Sequence, residues 1–462
     1  SHIASSYFIS EFDEAAGISV DGSGDFTTTS NSLCKDQSIS MHDRIFYPHS
    51  LGVFYSSITN FLGYENYGEE YKVMALGASG DSSLDSKLEK IIDLDNDGKF
   101  KLNLYYFIHQ KKIKTFSIKN NNIILNELLN VNRLEELLGI KKRNRKESLN
   151  QEHLNLARSL QNIFERAYIG YINYTYNKFQ ITNLCLAGGC AMNSVANGKI
   201  YRRSPFKQIY IQSAAGDAGG AIGAAFVVAN ELGETKDRFY MDHAYWGPSF
   251  DNSYHEKLLT DNQKELNLAG CSVDFVKDEE ILCKQTAEAI SDGLVIGWFQ
   301  GRMEWGPRAL GNRSILGDPR REDMKDILNL KIKRRESFRP FAPSILRERV
   351  SDWFEEEDDV PFMMQVFQIQ KGKRNEIPAV THVDGSGRLQ TVSVSSNPRY
   401  HKLISSFEAL TGVPIVLNTS FNENEPVVCK PEEALNTFLR TKMDFLVLGN
   451  WVVRRQESVS VE

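Results

Sequence analysis

Apolar residues in the first half of the chain form patterns typical of helices and of buried strands, one after the other. Over 154–179 they recur at helical spacing, which predicts an amphipathic helix. The apolar run ITNLCLAGG that follows is typical of a buried strand, and it ends in a glycine pair. The same order of strand, glycine-rich loop and helix returns in QIYIQSAAGDAGGAIGAAFVVANEL. Two such units predict an α/β core for this half.

Shorter patterns describe the rest of the first half. Alternating apolar and small residues over 12–29 predict a strand hairpin that turns at Asp21-Gly22. A helix is predicted over 51–62. The stretch 93–147 is rich in Asn and Lys, and we interpret it as a solvated insertion around short elements.

The best candidate linker lies over 240–252, around Gly247-Pro248-Ser249. We therefore expect two domains, 1–244 and 245–462. Beyond the linker the pattern predicts a second, mixed α/β domain. Its expected elements are a helix over 279–291, strands over LVIGWFQ, 363–370, 388–394 and VPIVLNTS, and a closing helix and strand in EEALNTFL and DFLVLGNWVV.

Composition favours a soluble globular protein. The 462 residues are 41% hydrophobic and 25% charged, and the formal net charge of −6 argues against a nucleic-acid partner. No apolar run reaches the length that spans a bilayer, so no membrane partner is expected. Six cysteines without a metal-type spacing fit a reducing, cytoplasmic setting.

The densest polar signal is the segment GRMEWGPRALGNRSILGDPR, followed by KIKRRESFRPFAPSI. Its cations are interleaved with Gly and Pro, so a solvated helix face explains them poorly. Loops that carry guanidinium groups are typical of sites for phosphate or carboxylate. Two polar loops, over 382–388 and 418–422, are further candidates for such contacts. The cations of the segment are Arg302, Arg308, Arg313, Lys331, Lys333, Arg335 and Arg339.

Two glycine loops in the first half are candidates for ligand binding. The pair at 188–189, followed by Asn193, stands between a strand and a helix, where backbone N–H groups can approach a phosphate; a tight turn is the alternative. Asp217 lies among glycines after the next strand and either caps the following helix or binds a ligand. With His2 and Asp21 it forms a donor set that suits iron, manganese or zinc.

Taken together, these segments resemble the ATP-dependent O-carbamoyltransferase family, which includes nodulation, antibiotic-tailoring and toxin-tailoring enzymes. The resemblance is carried, in the family's order, by SHIASSYFISEFDEAAGISVDGSGD, FYPHSLGVFYSSITNFLG, GEEYKVMALG, LAGGCAMNS, AAGDAGGAIGAA, GRMEWGPRALGNRSILGDPR, FRPFAPSI and LNTSFNENEPVV. It implies a first domain of the sugar-kinase, heat-shock-protein and actin superfamily and a second, YrdC-like domain. Such enzymes form carbamoyl-adenylate from ATP and carbamoyl phosphate in the YrdC-like domain. The first domain then passes the carbamoyl group to an acceptor hydroxyl, beside a bound iron.

The resemblance also implies roles for single residues. It aligns His2 with the second His of the family's HxxxH metal pair, Asp21 with the aspartate of VDGxG and Asp217 with that of GDAGGA, so Fe(II) or another divalent metal is expected there. The expected catalytic residues are His2, Asp21, Arg302 and Arg388. The adenylate is expected at Gly188, Gly189 and Asn193. ATP and carbamoyl phosphate are expected at Arg302, Arg308, Lys333, Arg335, Arg388, Asn418 and Ser420.

Family members carry a further segment before the position of His2, with the first metal His, so we expect the first domain to be N-terminally incomplete. This leaves open a fragment, a separately encoded remainder, or a first domain that no longer catalyses transfer. The expected acceptor is a small-molecule hydroxyl. One alternative is a tRNA threonylcarbamoyl-type modification, which the acidic net charge disfavours. The other is a scaffold role without catalysis. The oligomeric state is left open, with a homodimer as one option.

Overall fold

The computed structural model describes residues 1–112, 115–119, 122–234, 237–334, 336 and 338–456. The chain forms two compact units, Ser1–Met241 and Asp242–Glu462. Both contain helices and strands, so the α/β class predicted from the sequence is confirmed. In the part of the chain that the structure describes, no helix has the length and apolar character needed to span a membrane.

The first unit is built on one larger sheet with several small hairpins. Its strands are β1 (Glu14–Gly24), β2 (Thr27–Lys35), β3 (Ser38–Phe46), β4 (Ile92–Leu94), β5 (Phe100–Leu102), β6 (Phe116–Lys119), β7 (Asn122–Leu125), β8 (Asn183–Ala187) and β9 (Gln208–Ile211). Its helices are α1 (His2–Tyr7), α2 (Leu51–Phe61), α3 (Glu70–Leu76), α4 (Asp85–Leu88), α5 (Val131–Leu138), α6 (Gln151–Phe179), α7 (Ser194–Asn197), α8 (Ile200–Arg203) and α9 (Gly220–Glu231). The sheet order is β3-β2-β1-β8-β9, with β8 and β9 parallel to β1.

Helix α6 confirms the helical spacing found in the sequence. It begins at a capping box in which Asn150 accepts from the backbone N–H of His153 and the His153 ring accepts from that of Asn150. Its apolar stripe is buried against α2, α3 and α4. The strands predicted on either side of the glycine loops are β8 and β9, so this part of the α/β pattern was predicted correctly.

The hairpin at the front was predicted with its turn in the wrong place. The chain turns at Asp25 and Phe26, because β1 continues past Asp21 to Gly24. Pairing between β1 and β2 becomes irregular between Val20 and Gly24. Asp21 and its following glycine therefore lie in a bulge, and bulges redirect side chains next to functional sites.

The Asn- and Lys-rich stretch is less solvated than the sequence indicates. Its short elements β4 to β7 and α5 agree with the prediction. Phe107, Leu134 and Leu138 of this stretch are fully buried, however, so it contributes to the core of the unit. Single apolar residues between polar ones do not stand out as a pattern, which explains the difference.

The second unit is built on an eight-stranded sheet in the order β10-β19-β18-β11-β12-β17-β13-β16. The unit's strands are β10 (Cys271–Phe275), β11 (Ile296–Phe299), β12 (Arg313–Gly317), β13 (Ala342–Leu346), β14 (Phe367–Gln368), β15 (Ser386–Gly387), β16 (Gln390–Val392), β17 (Ile415–Ser420), β18 (Phe445–Leu448) and β19 (Trp451–Arg455). Its helices are α10 (Asn252–Asp261), α11 (Gln263–Leu268), α12 (Glu279–Ser291), α13 (Met324–Leu328), α14 (Val350–Trp353), α15 (Pro398–Thr411) and α16 (Pro431–Arg440).

Strand pairing gathers several loops at one edge of this sheet. The end of β11 lies opposite the start of β12, and the end of β17 lies opposite the starts of both β12 and β13. Strand β16 begins beside β13 and runs parallel to it. We call this edge the loop edge. The loop of residues 301–312, the end of β17 and the residues just before β16 all lie there.

Candidate functional site

Three separate segments of the first unit bring a histidine and two aspartates together. His2 begins α1, Asp21 lies in the bulge of β1, and Asp217 follows β9. The His2 Nε2 atom is 3.2 Å from Asp21 Oδ2 and 3.6 Å from Asp217 Oδ1. One ligand atom from each residue lies within 4.8 Å of the other two. The three residues that the sequence singled out as metal donors therefore form one cluster.

The environment of Asp21 favours its charged form. Burial alone would raise the pKa of this carboxyl group, but hydrogen bonds from His2 and from the backbone N–H of Gly189 outweigh burial and lower it. The Gly189 bond is 2.9 Å long. Asp21 is therefore an anion over the whole physiological pH range.

Asp217 does not cap a helix. The N-cap of α9 is Gly219, and no side chain within the described residues caps that end. The Asp217 side chain is 83% exposed, so its carboxylate is accessible to a ligand. The capping alternative considered from the sequence is wrong, and the interpretation of Asp217 as a ligand donor stays open.

The donor set fits a divalent first-row metal. One imidazole nitrogen and two carboxylates are ligands that iron, manganese and zinc accept. Within the described residues, Nδ1 of His2 is buried and has no hydrogen-bond partner, whereas Nε2 points towards the carboxylates. His2 therefore faces the cluster with the nitrogen that would bind a cation.

The glycine loop after β8 lies directly against this cluster. Gly188 has a φ of 92°, and a Cβ atom there would lie 2.3 Å from the carbonyl oxygen of Val20, so no other residue fits. Its N–H donates to Ala215 O at 2.7 Å, and the Gly189 N–H donates to Asp21. Both N–H groups thus fix the loop in place, and the adenylate contact expected here stays a prediction.

Asn193 is held by a buried polar network that the sequence analysis missed. Its Oδ1 atom caps α7 by accepting from the N–H of Ala196, and its amide exchanges hydrogen bonds of 3.1 and 3.0 Å with the amide of Gln161. Gln161 also donates to Glu165, which accepts from Lys199 at 2.6 Å. The available signal was a Gln and a Glu, four residues apart, on the otherwise apolar face of α6.

In the second unit, Lys333 and Ser420 come together at the loop edge. The Lys333 ammonium group is almost fully buried and donates to the carbonyl oxygens of Ser420 and Asn422 at 2.6 and 2.8 Å. It also contacts Ser420 Oγ at 3.2 Å and Asn422 Oδ1 at 2.8 Å. The sequence placed these residues in separate motifs, and the fold makes them one cluster.

Asn418 joins three neighbouring elements of the same edge. Its amide nitrogen donates to Ala309 O at 3.1 Å, to Ser344 Oγ at 3.0 Å and to Gln390 Oε1 at 3.1 Å. Arg308 precedes Ala309, and Arg388 stands two residues before Gln390. Asn418 therefore ties together the segments that carry both arginines. Ser344 and Gln390 were not singled out from the sequence, because neutral polar side chains such as theirs are common in loops and strands.

Two arginines of the basic segment donate hydrogen bonds to backbone carbonyl groups of the same unit. Arg302 donates to Gly247 O at 3.1 Å and to Trp246 O at 2.9 Å. Arg313 is completely buried, and burial lowers the pKa of its guanidinium group to about 10. The interpretation of Arg313 as a group that binds an anionic ligand is therefore wrong. Arg335 lies outside the described residues.

Family models for both ends of carbamoyltransferases match this sequence. The model "Carbamoyltransferase N-terminus" matches residues 1–226, and "Carbamoyltransferase C-terminus" matches residues 287–455. The chain belongs to the carbamoyltransferase family. The resemblance found in the sequence is thereby confirmed, and this carbamoyltransferase is a transferase enzyme.

Curated relatives of this carbamoyltransferase match over nearly its whole length. The uncharacterized protein sll1178 of Synechocystis sp. is 41% identical over 98% of the chain and 75% of the relative. Nodulation protein NolO of Bradyrhizobium diazoefficiens is 37% identical over 98% of the chain and 78% of the relative. Nodulation protein NolNO of Sinorhizobium fredii is 38% identical over 99% of the chain and 63% of the relative.

Among solved structures, the carbamoyltransferase is similar to part of full-length HypF in the phosphate- and nucleotide-bound form. The likeness covers 40% of this chain and 23% of HypF, at 17% identity and a TM-score of 0.26. A similarity of this size carries no conclusion about fold or function.

Proposed function

We propose that this carbamoyltransferase uses ATP to convert carbamoyl phosphate to carbamoyl-adenylate and transfers the carbamoyl group to a hydroxyl of a small-molecule acceptor. The main support is that two different groups of polar and charged side chains lie in separate units. A His-Asp-Asp cluster beside a glycine loop lies in the first unit. A buried lysine with polar partners lies at the loop edge of the second, together with segments that carry arginines.

Adenylate formation brings two polyanions together, so cations must offset their repulsion and align them. In this proposal Arg308 and Arg388 contact phosphate oxygens of ATP and carbamoyl phosphate, and the buried Lys333 ammonium group fixes Ser420 and Asn422 at the loop edge and adds its positive charge there. Water displaces phosphate from carbamoyl phosphate, a carbamate oxygen then bonds to the α-phosphorus of ATP, and pyrophosphate leaves. Because Ser420 and Asn422 already hold the Lys333 ammonium group, little ordering is left to do when the anions bind.

In the transfer step the acceptor's hydroxyl oxygen attacks the carbamoyl carbon, its proton passes to water, and AMP leaves with the electron pair of the broken bond. The adenylate is proposed to lie along the loop over 188–193, where a Cβ atom at Gly189 would lie 2.8 Å from Asp21 Oδ1, so glycine lets the loop and this carboxylate approach closely. His2, Asp21 and Asp217 would hold a divalent metal, with Fe(II) as one candidate, and such an ion polarises a bound oxygen as a Lewis acid.

The adenylate-forming step can be tested by pyrophosphate release from ATP. We expect release to require carbamoyl phosphate, and we expect Arg308→Ala to lower it by about 100-fold, since a lost charge-assisted phosphate contact costs a few kcal/mol. Arg321→Ala is the matched control, because Arg321 pairs only with Asp323 among the described residues. Pyrophosphate release that ignores carbamoyl phosphate, or that survives in the Arg308 variant, would contradict the proposal.

A further inference from the structure

The loop over 301–312 is organised around one buried carboxylate. Glu304 is 7% exposed, and its Oε1 atom accepts three backbone N–H bonds from the far end of the loop. The donors are Leu310 at 2.8 Å, Asn312 at 2.8 Å and Arg313 at 3.1 Å. A single side chain thus connects the two ends of the loop and fixes the turn between them.

A second buried charge holds the base of the same loop. The Arg313 guanidinium group donates to Gln300 O at 2.6 Å, Asn312 O at 2.9 Å and Pro248 O at 3.1 Å. It lies 3.6 Å from the centre of the Phe299 ring. Glu304 therefore accepts hydrogen bonds from backbone N–H groups of the loop, and Arg313 donates hydrogen bonds to backbone carbonyl groups at its base. We call these two buried side chains and their bonds the loop frame.

Stability alone explains this frame poorly. Taking a carboxylate and a guanidinium group out of water is costly, and apolar residues of similar size often stabilise a fold equally well. What the frame adds is a defined backbone for a segment rich in glycine and proline, which would otherwise adopt many conformations. In the sequence, Arg308 lies in this segment between Glu304 and the first of the N–H donors, Leu310. The side-chain amide of Asn312 also donates to the carbonyl oxygen of Arg302 at 2.8 Å.

We propose that Glu304 is a positioning residue, which holds the loop in the shape that presents Arg308 to a phosphate group of the substrates. This inference rests on the proposed function, because it assumes that Arg308 contacts a phosphate. Glu304 itself does not touch the substrate. It acts through the three backbone N–H groups that donate to its Oε1 atom.

The first test measures binding of inorganic phosphate and of carbamoyl phosphate by calorimetry. Glu304→Ala removes the acceptor of three N–H groups, and we expect binding to weaken by about tenfold or more. Glu304→Gln keeps a carbonyl oxygen in the same place, so we expect a smaller loss and partial rescue. Glu322→Ala is the matched control, since Glu322 is exposed and should leave phosphate affinity unchanged. Thermal unfolding of each variant shows whether it is folded.

The second test is a double-mutant cycle between Glu304 and Arg308. If Glu304 acts through Arg308, Glu304→Ala should weaken phosphate binding strongly in the wild-type background and by less than about twofold in the Arg308→Ala background. The loss of thermal stability, in contrast, should be the same in both backgrounds. A residue with a structural role alone would give equal effects on affinity in both. If the alanine variant does not fold, the same cycle is run with Glu304→Gln.

The outcomes separate this inference from the proposed function. If Arg308→Ala leaves phosphate binding unchanged, the proposed phosphate site is wrong and the inference falls with it. If Arg308→Ala weakens binding but folded Glu304 variants bind as the wild type does, only the positioning role is overturned. Additive effects in the cycle would also overturn it.

Discussion

At the scale of single residues, the structure separates cations that look alike in the sequence. Arg313 and Lys333 both stand in the basic segment, and both are almost fully buried. Arg313 binds backbone carbonyls next to its own loop, whereas Lys333 reaches across to Ser420 and Asn422 at the loop edge. The sequence predicts a cluster of cations, but it does not show that Arg313 binds carbonyls close to it while the partners of Lys333 lie almost 90 residues further along the chain. Their roles therefore depend on the fold.

The His-Asp-Asp cluster of the first unit was predicted more completely, for a physical reason. Asp217 lies among glycines after a strand, where packing alone explains a carboxylate poorly, and His2 and Asp21 offer the other donors that suit a metal. The three come together within 4.8 Å. Gln161 and Ser344 were missed, because a neutral polar side chain does not by itself show in the sequence whether it is buried.

If the His-Asp-Asp cluster binds a metal as proposed, replacing its residues should weaken that binding without unfolding the protein. We expect His2→Ala and Asp217→Asn to lower affinity for Fe(II), Mn(II) or Zn(II) by at least about tenfold, since each removes or weakens one of three ligands. Asp25→Asn is the matched control, because Asp25 is exposed at the hairpin turn only four residues from Asp21. Metal content after dialysis, measured by mass spectrometry, gives the result. Equal metal content in all variants would show that the cluster is not a metal site.

At the scale of elements, periodic segments were predicted well and irregular ones poorly. Helix α12 covers 279–291, as predicted, and α6 covers the predicted 154–179 and begins three residues earlier, at Gln151. Strands β12 and β13 were taken for loops, since arginine, glycine and proline surround them and hide their short apolar runs. Their identity as strands depends on pairing with β17, which lies about 70 to 100 residues further along the chain.

Helix α10 contains a buried histidine, and we expect it to make the stability of the second unit depend on pH. His255 is 2% exposed, and neither ring nitrogen has a hydrogen-bond partner within the described residues. Burial, and then the nearby Arg313 charge, lower the pKa of His255 to about 4. The unfolded chain binds this proton at a pKa of about 6.5, so the unfolded state gains protons first as the pH falls.

The contribution of His255 to stability is therefore fully present above about pH 6.5 and is lost as the pH falls towards 4. Across this window we expect the wild type to lose about 3 kcal/mol more unfolding free energy than His255→Leu, which cannot take up the proton. Urea unfolding of both proteins at several pH values measures the difference. His401→Leu is the control, since that ring pairs with Glu348 near the surface. Parallel pH profiles for wild type and His255→Leu would refute the prediction.

At the scale of the whole molecule, the two units hold separate sets of reactive side chains. Cations and amides at the loop edge suit the joining of polyanions, and the His-Asp-Asp cluster suits an oxygen that needs a cation beside it. Each set is assembled within its own unit from residues of that unit alone. If the proposed function is correct, damage to one set should therefore affect the two half-reactions differently.

We expect Asp21→Asn to release pyrophosphate from ATP and carbamoyl phosphate at nearly the wild-type rate but to lose carbamoyl transfer to the acceptor. Lys333→Met should lose both, because transfer depends on the adenylate that the second unit forms. Lys331→Met is the matched control, two residues away, where the lysine pairs with Asp444 at 2.9 Å. Pyrophosphate release reports the first half-reaction, and carbamoyl transfer from added carbamoyl-adenylate reports the second. Added adenylate should restore transfer to the Lys333 variant and not to the Asp21 variant, and the opposite result would exchange the roles assigned to the two units.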